Sequence, residues 1–252
     1  MSNNLPKALV KELIKYQSRQ GRKKADFFLV EGERCCREAL KWSSDIRYAV
    51  HSEGRSLSEV IDCSFPIYCV NEQDFARFSL TENAQGIFYV IGRPSSTSLK
   101  LEDPFLLVLD GLQEPGNMGT ILRTALATGI KEVAITRGTV DPYNPKAIRS
   151  GMGAQFQMSI QVCEDLVSLV KANNFDSSKI WLTSPHDGVS CYDSEFVLDG
   201  GVLVFGEEGG GIKDFAVGRK TMIPMPGDVE SLNVAQAATI YLFEAVRRSS
   251  QQ

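Results

Sequence analysis

An α/β protein with a mostly parallel sheet is the fold class this sequence predicts, and three observations predict it. Short apolar segments alternate with amphipathic ones along most of the chain. Several apolar segments, residues 105–110 above all, lack polar alternation, as strands buried on both faces do. Turns rich in Gly and Pro fall where such strands would meet helices, the place where open α/β sheets bind ligands.

Residues 5–18 read as an amphipathic helix with Leu9, Val10, Leu13 and Ile14 on its core side, ended by Gly21. Strands are expected at 27–30, 46–50, 67–70 and 86–91, with helices at 32–42, 57–61 and 72–78 between them. These make a small α/β unit over residues 1–92. The stretch RPSSTSLKLEDP, residues 93–104, is rich in Pro, Ser and charge and reads as a linker. A second unit, 105–252, opens on the buried strand 105–110. Strands are expected at 133–136, 156–161, 180–183, 202–206 and 222–225. Helices are expected at 117–128, around 145–150, at 165–173, and from Ser231 to Arg248.

The totals bound the function. The chain has 252 residues, 43% hydrophobic and 23% charged, as in an ordinary soluble protein. It has no apolar run of membrane-spanning length and no secretory signal core, so no membrane partner is expected. The cysteines form no Cys-x-x-Cys pair and there are only 2 histidines, so no metal is expected and the cysteines read as reduced cytoplasmic thiols. Net charge is −4, but residues 1–24 carry Lys7, Lys11, Lys15, Arg19, Arg22, Lys23 and Lys24 against Glu12 alone. Lys7, Lys11, Lys15 and Arg19 would stack along one side of a helix. Such a row is either a solvated face or a surface for a phosphate backbone.

Three junctions concentrate polar groups and bare backbone. In the first, residues 109–129, Gly111, Pro115, Gly116 and Gly119 suggest a turn that something approaches closely. Asn117 lies near the helix start. Arg123 sits on a narrow stripe with Thr120, Thr124 and Ala127, either paired to a carboxylate or facing a phosphate. The second junction, VLVFGEEGGGI at 202–212, runs a buried strand into two acids and three glycines. It is neither a spaced dinucleotide fingerprint nor a phosphate loop with its Lys. Paired acids favour a ligand of cationic or hydroxyl character. The third is IPMPGDVESLNV, residues 223–234, with Ser231 as the natural N-cap and Asn233 in the first helical turn. Read alone it is a capped helix.

Together DGLQEPGNMGTILRTA, FGEEGGGI and IPMPGDVESLNVAQAA resemble, in order and separation, the three motifs of the SpoU branch of the SPOUT RNA methyltransferases. SGMGA at 150–154 matches a further family segment, and the unit containing FFLVEGERCCREAL resembles the family's small substrate-binding domain, related to RNA-binding ribosomal proteins. The resemblance implies a C-terminal domain threaded as a deep trefoil knot. It implies S-adenosylmethionine as cofactor, bound by backbone at Gly206, Ile223 and Leu232, and a homodimer with the active site at its interface. It makes Arg123 the principal catalytic candidate, with Asn117, Glu208, Ser231 and Asn233 positioning the ribose, the arginine and the cofactor loops. Glu207 falls on a variable family position, and His51 and His186 match no role and read as surface or loop histidines. The implied activity is methyl transfer to a ribose 2′-hydroxyl of structured RNA, ribosomal in preference to transfer RNA. A binding factor for ribosome assembly that has lost catalysis is the alternative outside enzymes.

Overall fold

Two sheets organise the chain. The computed structural model describes residues 3–43, 45–54, 64–81, 84–94, 98–207, 212 and 215–250. The helix expected at 57–61, Glu208 and the three consecutive glycines lie outside them.

The first sheet is built from β1 (Asn3–Asn4), β2 (Phe27–Glu31), β3 (Ile46–Ser52), β4 (Ile67–Val70) and β5 (Ile87–Gly92) in the order β1-β4-β3-β5-β2. It is mixed: β4 runs parallel to β1 and β3, whereas β5 is antiparallel to both β3 and β2. Helices α1 (Lys7–Tyr16), α2 (Arg19–Lys24), α3 (Glu33–Trp42) and α4 (Glu72–Phe78) accompany it. Leu13 and Tyr16 from α1 are buried with Phe27 and Phe88 in its core.

The second sheet has seven strands: β6 (Phe105–Leu109), β7 (Glu132–Thr136), β8 (Ser159–Cys163), β9 (Ile180–Thr183), β10 (Val189–Ser190), β11 (Gly201–Phe205) and β12 (Arg219–Met222). Their order is β10-β12-β9-β11-β6-β7-β8, and every pairing is parallel. Helices α5 (Pro115–Ala127), α6 (Pro145–Gly151), α7 (Leu166–Asn173) and α8 (Val234–Ser249) cover it. One apolar layer contains residues of α5 and α8, and another lies against α7, which is why β6 and β11 are buried along their whole length.

Four expectations need correction. The helix over 5–18 stops at Tyr16, because Ser18 accepts a hydrogen bond from Gly21 N and caps a new helix. Gly21 therefore lies inside α2, and Arg19 starts that helix instead of extending the row of Lys7, Lys11 and Lys15. The strand expected at 156–161 begins at Ser159. Residues Ala154–Gln157 form a 3₁₀ turn after Met152 and Gly153, both left-handed at φ 53° and 79°. The strand expected at 222–225 lies three residues earlier, since Pro224 and Pro226 have no N–H for a ladder. Its polar residues are tolerated because Arg219 lies 4.6 Å over Trp181 and pairs with Glu195, while Lys220 pairs with Asp187. Finally, the last helix starts at Val234, with Asn233 and not Ser231 as N-cap.

The sheets meet along an aromatic seam. Phe28 of β2 packs tilted against Tyr143 at 4.7 Å and stacks with Phe156 at 6.2 Å between ring centroids, and Ile148 of α6 is buried in the first core. Arg93 crosses the seam, donating to both carboxylate oxygens of Asp141 at 3.1 and 2.6 Å and to Ala25 O at 3.1 Å. The connecting segment is also tied down. Glu132 accepts from the amides of Lys100 and Glu102 at 2.5 and 2.7 Å, and Asp103 returns the contact by accepting from Lys131 N and Glu132 N at 2.6 Å each.

Candidate cofactor cavity

Three adjacent parallel strands, β12, β9 and β11, end side by side, and the loops leaving them enclose a cavity of about 660 Å³. Its volume is that of a small-molecule site. Phe205 and Gly206 close one side as β11 ends, Ile223 and Met225 the other as β12 ends. Thr183 to His186 leave the central strand between them, and Thr183 Oγ1 donates to Val204 O at 2.9 Å, tying β9 to β11. The first turns of α8 supply Val234, Ala237 and Tyr241, spaced so that they share a helix face.

All three residues expected to bind the cofactor, Gly206, Ile223 and Leu232, line this cavity, and so do Ser231 and Asn233. The cavity is apolar at Phe205, Ile223, Leu232 and Tyr241, and its lining also includes the acidic residues Glu207 and Glu230. Asn233 has two tasks. Its Oδ1 accepts from Ala235 N at 2.9 Å and Gln236 N at 3.4 Å, capping α8, and its Nδ2 donates to Asn117 Oδ1 at 3.1 Å. The first and third junctions, far apart in sequence, thus meet through two amides. Ser231 is exposed at the rim, free of the capping role expected for it.

The first junction works differently from the expected turn. Pro115, Gly116 and Gly119 are already helical. A Cβ at Gly119 would stand 2.1 Å from Ala147 O and 2.6 Å from Gly151 N, so the glycine lets α5 press against α6 and the SGMGA segment. The turn before the helix is held from below: Thr136 Oγ1 donates to Asp110 Oδ1 at 2.7 Å and accepts from Gly111 N at 3.1 Å.

Arg123 is exposed on α5, does not line the cavity, and has no carboxylate partner among the described residues. The paired alternative therefore loses its support. The basic residues divide as well. Lys7, Lys11, Lys15, Arg19, Lys23 and Lys24 are exposed, but Arg22 donates to Tyr16 O at 3.2 Å and Gln17 O at 2.6 Å, closing the end of α1. Arg22 is thus engaged in structure.

Sequence reasoning missed Glu207, Glu230, His186 and Tyr241. The helical spacing of Val234, Ala237 and Tyr241 was the signal available for the last. Nothing in the sequence marked the loop after β9. Among the described residues no cluster of His, Cys, Asp or Glu is placed to hold a metal, and no helix is long and apolar enough to cross a membrane.

The SpoU rRNA methylase family model matches residues 104–243, which contain every strand and the cavity of the second sheet. The chain belongs to this family. Residues 7–88 match a second model, the MRM3-like substrate binding domain. The 23S rRNA (guanosine(2553)-2′-O)-methyltransferase RlmP of Bacillus subtilis is 32% identical over 241 residues, covering 93% of this chain and 94% of its own length. The human mitochondrial rRNA methyltransferase 3 is 29% identical, covering 92% of this chain and 70% of its own. A solved structure of a putative RNA methyltransferase of the TrmH family from Porphyromonas gingivalis superposes with a TM-score of 0.85 at 29% identity, over 98% of this SpoU-family chain and 100% of its own.

Proposed function

We propose that this SpoU-family protein is an S-adenosylmethionine-dependent methyltransferase acting on ribose 2′-hydroxyls of ribosomal RNA. The observation that carries the reading is the convergence of Gly206, Ile223, Leu232, Ser231 and Asn233 on one cavity at the carboxyl ends of three parallel strands. The family match supports the chemistry, and the full-length likeness to rRNA enzymes supports the substrate class. Ribosomal RNA is favoured over transfer RNA because the first sheet itself matches the MRM3-like substrate binding domain. In this reading residues 1–92 bind RNA, 93–104 connect, and 105–252 form the knotted methyltransferase domain, working in the cytoplasm.

The lining fits the cofactor. Apolar Phe205, Ile223, Leu232 and Tyr241 suit an adenine, and Glu207 and Glu230 suit its ammonium and sulfonium charges. When bound, S-adenosylmethionine supplies an electrophilic methyl group. The protein's own residues do the rest. A guanidinium group does not act as a base toward a hydroxyl, so Arg123 has another task. It clamps the RNA phosphate or stabilises developing alkoxide, and its planar fork suits either. The Asn117–Asn233 pair fixes the start of α5 against the start of α8, so that the helix bearing Arg123 is referenced to the cavity wall.

Arg123 stands outside the cavity of its own chain, which favours a homodimer that brings the arginine of one copy to the cavity of the other. The packed pair α5 and α8 leaves Phe243 and Val246 51% and 37% exposed, apolar surface that a second copy would cover. The test is incubation with labelled S-adenosylmethionine and total RNA from a strain lacking the protein. Label in ribosomal RNA is the expected result, label confined to transfer RNA moves the substrate, and absence of label with intact RNA binding removes the enzyme reading.

A further inference from the structure

His186 stands in the wall of the cavity on a loop that is braced from within. Ser184 Oγ donates to Asp187 at 2.6 Å, and Lys220 Nζ pairs with the same carboxylate at 2.7 Å. Gly188 follows at φ +129°, pressed so closely on β12 that a Cβ would stand 2.6 Å from Lys220 C. The serine, the aspartate and the nearby lysine are therefore spent on the loop itself. The imidazole is exposed and makes no hydrogen bond among the described residues, and its electrostatic neighbour is the carboxylate of Asp187.

The charge of the lining points the same way. The described residues around the cavity include Glu207 and Glu230 but no lysine or arginine. S-adenosylmethionine carries two cations and one carboxylate. The glutamates complement the cations and would repel the carboxylate. A carboxylate leaving water needs a donor. His186 is the histidine of the lining, and an imidazole N–H donates to a carboxylate whether the ring is neutral or charged.

We propose that His186 binds the carboxylate of the cofactor's methionine moiety, with the Ser184–Asp187–Lys220 brace holding it in place. This rests on the reading of the cavity as the cofactor site. It makes His186 a binding residue for the amino-acid half of the cofactor, as distinct from the adenosine half.

Isothermal titration calorimetry on the full chain tests it with two ligands: S-adenosylhomocysteine, and 5′-deoxy-5′-methylthioadenosine, which shares the nucleoside and thioether but has no carboxylate. His186→Ala should weaken the first about tenfold or more, the range of a hydrogen bond to a charged group, and leave the second unchanged. His186→Gln, which keeps a donor, should recover part of the loss. Equal weakening of both ligands would assign His186 to the adenosine half and overturn the proposal, as would no change in either. Ala237→Leu, which fills the cavity from α8, separates the two levels of inference. If it abolishes binding while His186→Ala is silent, only the histidine assignment falls; if it too is silent, the cavity is not the cofactor site and both fall.

Discussion

Asn233 combines a helix cap with the active-site role proposed for it, and the two can be separated. As the N-cap of α8 it satisfies orphan amides, and as an amide donor it holds Asn117. Asn233→Ala should lose both and destabilise the fold by about 1 kcal/mol, the usual cost of a lost cap. Asn233→Asp keeps the cap, and its charge suits a helix N-terminus, but it cannot donate to Asn117. It should therefore unfold in urea like the parent while methyl transfer falls; parental turnover would show that the pair is not needed. Arg123→Lys should bind S-adenosylhomocysteine normally and lose most turnover, because the point charge lacks the fork. Glu244 offers a pH test. Its carboxyl is held down from 4.5 to about 2, chiefly by the hydrogen bond from Arg247 and then, against burial, by that from Arg248. A depressed value means stabilisation present above the unfolded pKa and lost as pH falls toward the folded one. The stability difference between the parent and Glu244→Gln should thus be full near neutrality and shrink between about pH 4.5 and pH 2 in urea melts.

Elements with a strong local signal were legible in the sequence; those set by distant partners were not. The apolar run at 105–109 lacks polar alternation, as expected of a strand buried on both faces, and β6 is one. The polar stretch Arg219–Met222 has no strand signal, since its place depends on Trp181 and Asp187 across the sheet. The same holds at the site. The resemblance to the SpoU motifs singled out Gly206, Ile223 and Leu232, and all three line the cavity. His186 was not legible, because only the adjacency of β9 to both β11 and β12 brings its loop to the cavity. The connecting segment is a further case, reading as a loose linker although Glu132 grips it. The amides of Lys100, Glu102, Leu101 and Asp103 hold the carboxyl of Glu132 below its ordinary value despite the opposing effect of burial. Glu132→Ala should speed hydrogen exchange at Lys100 and Glu102 well beyond that at the core of β6. Unchanged protection would mean that the clamp adds nothing.

At the level of the whole molecule the basic helix, the seam and the cavity form one frame. Lys7, Lys11 and Lys15 lie on α1, which is anchored through Leu13 and Tyr16 in the first core. The first sheet is in turn anchored to the second through Phe28, Tyr143 and Arg93. Replacing the three lysines with Gln should weaken RNA binding and reduce its salt slope by as much as about 2 to 3, at about 0.7–0.9 per phosphate neutralised, with cofactor affinity unchanged. An unaltered slope would take α1 off the RNA surface. The dimer proposal has its own readout: Phe243→Glu should shift the chain to monomer in sedimentation and reduce turnover together.

The position of β11 has a further consequence, in time. β11 lies between β6 and β9, with Gly201 opposite Phe105, although β6 precedes it by about a hundred residues. On a ribosome adding about 5 to 20 residues per second, β6 leaves with one edge unpaired for roughly 5 to 20 seconds. Throughout that interval the apolar FLLVL segment is a strand edge open to other nascent chains. The second sheet thus cannot close until Gly201 to Phe205 have been made, and its most vulnerable species is the chain that stops before Gly201.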